Sequence, residues 1–165
     1  MRNEERHWLK LEIRKTLIPA LLELGFENVK LTPAELKDAV QSTYPFGRFR
    51  RRQSTGFDLL EIQLNKYDKA SFVFAAGLVP VEGIKNTHGD FSAEDVWCGW
   101  LPKNYAFYSV PLIGRGFSLW HWPSRKTSQA DVQNLIAIVV AKVLPQIDRA
   151  LRFDERGPNV KVFGA

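Results

Sequence analysis

Cysteine is nearly missing from this chain: Cys98 is the one thiol among 165 residues. That excludes an intramolecular disulfide and fits a reducing compartment. Histidine is scarce, with His7, His88 and His121 scattered and no pair at helical spacing. Acid–base chemistry and a structural metal site therefore find little support. His88, Asp90, Asp95, Cys98 and His121 could in principle converge on a metal, but no Cys-x-x-Cys accompanies them. The longest early apolar run is short too. The run around Leu17–Leu22 is interrupted by Pro19 and too short to span a bilayer. The opening MRNEERHW lacks the apolar centre of a signal peptide. No nucleophile elbow, phosphate-binding Gly-Lys-Ser/Thr loop or dinucleotide-binding glycine pattern occurs, so no cofactor is implied. These gaps predict a cytoplasmic protein, and the length suits a single domain over residues 1–165.

What is present in quantity is aromatic residues, with five Trp, eleven Phe and four Tyr, and basic charge. The net charge is +5, and removing Arg48, Arg50, Arg51 and Arg52 leaves +1. The basicity is therefore local and does not by itself imply nucleic acid.

Periodicity predicts a first helix over Glu4–Leu24. Trp8, Leu11, Lys15, Ile18 and Leu22 lie along one stripe, with Leu17, Leu21 and Leu24 beside it. Gly25 suits the residue after its end, and Pro19 should kink it. Thr32-Pro33-Ala34-Glu35 reads as a capping box opening a short helix to Gln41. Strands are predicted over Gly47–Arg52, Phe57–Asn65 and Ala70–Val79, joined as hairpins, with further strands over Tyr105–Leu112 and Gly116–Trp122. Phe72–Val79 is apolar on both faces, as a central strand would be. Val81–Asn104 has no clear period. Ser128-Gln129-Ala130-Asp131 opens a last helix carrying Val132, Leu135, Ile136, Val139, Val143, Ile147 and Leu151, bent at Pro145. The tail is loose or adds a short strand over Val160–Phe163. The fold class expected is α+β, an antiparallel sheet of about five strands packed against long N- and C-terminal helices.

Leu17-Ile18-Pro19, Leu24-Gly25-Phe26, an arginine-bearing strand, and Glu61–Tyr67 leading into Phe72–Gly77 together resemble a family of uncharacterised bacterial domains of unknown function. The resemblance covers roughly residues 10–150 and implies an α+β fold. It supplies no catalytic residue.

Two constellations are candidate sites. On an extended strand Arg48, Arg50 and Arg52 share one face, and Arg51 shares the other with Phe49. A four-residue loop sets Arg48 opposite Glu61, Arg50 opposite Leu59 and Arg51 opposite Asp58. Glu61 and Gln63 then join the arginines on a polar sheet face, expected to be wet. Guanidinium forks suit carboxylates and phosphates, although the same charges can simply protect an edge strand. The second constellation is Trp97, Trp100 and Trp120, a stacking platform or, as is commoner for tryptophan, core and rim packing. These residues point to a non-catalytic binding module recognising a protein or a small anionic ligand through the sheet face. A nucleic-acid-binding domain using the arginine strand is the alternative, and an enzyme of unknown class comes third. No membrane partner is implied, and the oligomeric state is left open.

Overall fold

A computed structural model describes residues 2–66, 70–107, 117–118 and 128–164. The chain begins with α1 (Arg2–Glu12) and α2 (Ile18–Glu23), joined without a break by a π-helical turn over Ile13–Leu17. Pro19 explains the turn. Its missing N–H and its ring forbid a regular α-turn, and a π-turn absorbs both. The Ile18 N–H reaches back to the Ile13 carbonyl, and Pro19 enters at the start of α2. The widened turn also shifts the helical phase. The buried stripe is Leu9, Ile13, Leu17 and Leu21, every fourth residue, while Leu11 and Leu22 are exposed. The expected stripe through Leu11 and Leu22 assumed a 3.6-residue period throughout and is corrected accordingly.

The last helix repeats the device. Ser128 and Asp131 form a true capping box ahead of α3 (Gln129–Ile138). A π-turn over Val139–Val143 then leads into α4 (Leu144–Phe153), with Pro145 in its first turn. By length and composition Gln129–Phe153 could cross a membrane. Here Val132, Ile136, Val139, Val143, Ile147 and Leu151 are instead buried in the main core.

The short helix expected at 33–41 forms only as 3-10 turns over Glu35–Lys37 and Gln41–Thr43. Its capping box is present: Thr32 N–H donates to Glu35 Oε2 at 2.7 Å, and Glu35 N–H donates to Thr32 Oγ1 at 3.3 Å. Asp38 then ends the helix. Its carboxylate accepts the N–H groups of Val40 and Gln41, both at 2.8 Å, while its own backbone is extended. A side chain that offers the backbone this alternative competes with helix continuation.

The sheet comprises β1 (Glu27–Val29), β2 (Arg48–Arg52), β3 (Gly56–Leu64), β4 (Ser71–Pro80), β7 (Lys103–Phe107), β8 (Phe117–Ser118) and β9 (Val160–Gly164). Between β4 and β7, β5 (Ile84–Asn86) and β6 (Gly89–Phe91) make a separate hairpin. The main order is β1-β2-β3-β4-β7-β9, antiparallel throughout, with β8 also pairing β4. The arginine hairpin has the register its loop length predicts, with Arg48 opposite Glu61, Arg50 opposite Leu59 and Arg51 opposite Asp58. Residues 108–112, the turn at 113–116 and residues 119–122 of the further predicted hairpin lie outside the described residues. One sheet face, with Phe49, Leu60, Ile62, Phe74 and Phe107, packs under the helices as the main core. The other face has a different cover.

Candidate functional site

Alternation along β2 and β3 sends Arg48, Arg50, Leu59 and Glu61 to the face away from the helices. Segment 81–101, which showed no period in the sequence, lies over that face. Ala93, Val96, Cys98 and Leu101 pack on Leu59 and Val79 to build a second small core. Polar tethers tie the cover to the sheet. Glu61 Oε1 accepts the Cys98 N–H at 2.8 Å, and the Cys98 thiol points to the Leu59 carbonyl at 3.8 Å. Arg50 Nη2 donates to the Ala93 carbonyl at 2.9 Å, and Arg48 Nη1 reaches the Asp95 carbonyl at 3.4 Å. Arg48 also meets Glu35 at 3.4 Å and lies 4.7 Å from the Trp97 ring centre, while Tyr44 packs on Trp97 with centroids 5.0 Å apart.

The expectation of a wet polar face is therefore corrected. Arg48 is 6 % exposed and Glu61 1 %. Arg50 and Gln63 are half-buried, and only Arg52 of the three co-facial arginines is exposed. Gln63 Nε2 donates to Thr43 Oγ1 at 3.2 Å. Trp97 is buried within the cover, whereas Trp100, at 36 % exposure, rests on Phe91. Trp120 lies outside the described residues, as does His121. Among the described residues no metal-ligating group of His, Cys, Asp and Glu gathers.

Enclosure sets the chemistry of this region. Burial pushes the Glu61 carboxyl up to about 7, although the Cys98 N–H and Arg48 both favour its ionised form. Burial, and then Glu61, hold the Cys98 thiol well above its usual range, so it is protonated and a poor nucleophile. Burial likewise raises the Tyr44 phenol. These groups are concentrated, and among the described residues the apolar side chains of the second core pack beside them.

Arg51 serves the opposite face. Its Nε donates to Asp58 Oδ2 at 2.8 Å, and its Nη1 donates to Asp148 Oδ1 at 2.6 Å and to the Leu24 carbonyl at 3.1 Å. The guanidinium lies 4.6 Å from the Phe26 ring centre. Gln53 Nε2 also donates to Asp58 Oδ2, at 2.6 Å. Partial burial works to raise the Asp148 carboxyl, but hydrogen bonds from Arg51 and Arg152 outweigh it and hold it below the usual range. One arginine thus joins the end of α2, the sheet and α4.

An accessible concavity lies elsewhere, at the end of the sheet where β4 and α4 end and β7 begins. It encloses about 510 Å³. Leu78, Pro80, Ile84, Leu101 and Phe153 give it apolar walls. Leu78 is 49 % exposed and Phe153 68 %. Lys103, Arg152 and Asp154 supply its charge. Lys103 Nζ donates to both Asp154 oxygens at 3.0 Å, and the Tyr105 hydroxyl donates to Asp154 Oδ1. Asp154 takes a left-handed backbone (φ 54) just past α4, which turns its carboxylate back onto β7. Hydrogen bonds from Tyr105 and Lys103 hold that carboxyl below its usual range. Sequence reasoning missed the groove because its walls come from four separated stretches. The nearest sequence signal was Arg152 near the end of a long amphipathic helix.

No family model, curated protein or solved structure matches the chain.

Proposed function

We propose that this chain is a non-catalytic, cytoplasmic binding module whose groove takes a small ligand with an apolar body and an anionic group. The observation that carries the reading is the groove itself, about 510 Å³ with apolar walls and Lys103 and Arg152 against the single acidic lining residue Asp154. That volume falls in the range of roughly 300–1,000 Å³ usual for ligand sites, which pair apolar walls with a few polar groups. Arg152 uses its Nε on Asp148 at 2.9 Å, and a guanidinium carries further donors for a carboxylate or sulfonate. The nucleic-acid alternative loses support, because Arg48 and Arg51 are buried and engaged within the fold.

The dye 1-anilinonaphthalene-8-sulfonate has this chemistry and serves as the probe. The folded protein should bind it saturably, and Phe153→Ser, at an exposed wall position, should weaken binding at least about tenfold with little change in melting temperature. Arg52→Ala should leave binding unchanged. Loss of binding with Arg52→Ala, or no effect of Phe153→Ser, would contradict recognition in the groove.

A further inference from the structure

Glu61 stands where the sheet meets its cover, and its carboxylate is one of the few polar links between them. The Cys98 N–H has Glu61 Oε1 as its acceptor, and the surrounding contacts of Cys98, Val96 and Leu101 with Leu59 and Val79 exclude water. Among the described residues the charged or titratable groups that bear on Glu61 are Arg48 from β2, Tyr44 from the loop before it and Cys98 from the cover. Arg48 sits opposite Glu61 in the strand register but meets Glu35, the Asp95 carbonyl and the Trp97 ring. Its Nε has no partner. An ionised Glu61 is therefore close to a cation without being paired to it.

We propose that segment 92–101 is a pH-sensitive strap, closed while Glu61 is protonated and loosened when Glu61 ionises. In the closed strap burial dominates and pushes the carboxyl up to about 7; once the strap lifts and water reaches it, the group titrates near its ordinary 4.5. The closed form thus binds the proton more tightly. Opening is insensitive to pH below the lower value, gains up to about tenfold per pH unit between the two, and levels off above the higher one. The strap is the element that yields, because its hold rests on a few tethers and a small collar, whereas β3 and β4 are paired along their length.

Cys98 reports the event directly, being fully buried and the chain's one thiol. The intact protein is labelled with 4,4′-dithiodipyridine, which reacts with thiols in acid. Each rate is divided by that of urea-unfolded protein at the same pH. The expected result is a rise of about tenfold or more in the normalised rate between pH 5 and pH 7, a flat profile for Glu61→Gln, and a low-urea slope well below that of global unfolding. A flat wild-type profile, a rise retained by Glu61→Gln, or the global slope would overturn the proposal. Should Glu61→Gln not fold, hydrogen exchange of wild-type protein decides. Corrected for intrinsic rates, exchange should accelerate over the same pH range in 92–101 and not in Phe72–Ala76; acceleration of both together, or of neither, overturns it.

Discussion

Arg48, Arg51 and Arg52 sit within five residues of one another and differ in what replaces water around each. Arg51 is buried against a fully buried Asp58 and against Asp148. Removing one partner strands the other's charge, so Arg51→Ala should cost about 3–5 kcal/mol. Arg48 has two contacts at 3.4 Å and a ring beneath it, and its loss should cost about 1–3 kcal/mol through the unsatisfied groups left behind. Arg52 is exposed, and Arg52→Ala should change stability by no more than about 0.5 kcal/mol. Urea denaturation of the three variants gives the order, and equal losses would contradict the burial described. Glu61 adds a sign. Its carboxyl is raised in the folded state, so its contribution is fully present below pH 4.5 and is lost as pH rises to about 7. Glu61→Gln keeps an acceptor for the Cys98 N–H and should flatten that decline in a melting series from pH 5 to 8.

Among the elements, β4 is the centre of the sheet, and Phe74 is fully buried between Ile62 and Phe107 in register. Phe74→Ala should cost about 3–5 kcal/mol, and a loss under about 1 kcal/mol would mean the strand is peripheral. Gly47, entering β2 at φ +79, is as demanding: an added Cβ would lie 2.1 Å from the Val29 carbonyl. Gly47→Ala should therefore cost more than the roughly 1–3 kcal/mol of backbone strain alone, read from the same urea transitions. Regular elements such as these were legible in the sequence. The arginine hairpin followed from alternation and a four-residue loop, and the last helix from its capping box and apolar stripe. The cover was not legible. Ala93, Val96, Cys98 and Leu101 bury themselves from irregular backbone, with no 2.0 or 3.6 period to betray it. Without it, Glu61 and Gln63 alternating with Leu60 and Ile62 read as a solvated face. The short β1 and the phase shift at Pro19 escaped for the same kind of reason: each depends on a local departure from regular geometry.

For the whole molecule, the +5 charge suggests a larger cationic surface than the fold presents. Two of the four clustered arginines are interior, so the molecule should show no salt-steep binding to mixed-sequence DNA or RNA near physiological salt. Three phosphate contacts would give a log–log slope of roughly −2 to −3 in a salt titration, and micromolar binding of that steepness would restore the basic strand as a recognition surface. Among the described residues the fold stacks two unequal layers on one sheet, helices on one face and an irregular cover on the other, with a concavity at the end where β4 and α4 end and β7 begins. Closure of the arginine face is tested most directly by native-state hydrogen exchange of the Cys98 N–H, the donor held by Glu61. At pH 5, with Glu61 protonated, that amide should exchange at least about a hundredfold more slowly than an unstructured amide. Exchange at the unprotected rate would mean that the face is open and that Arg48, Arg50 and Glu61 meet solvent.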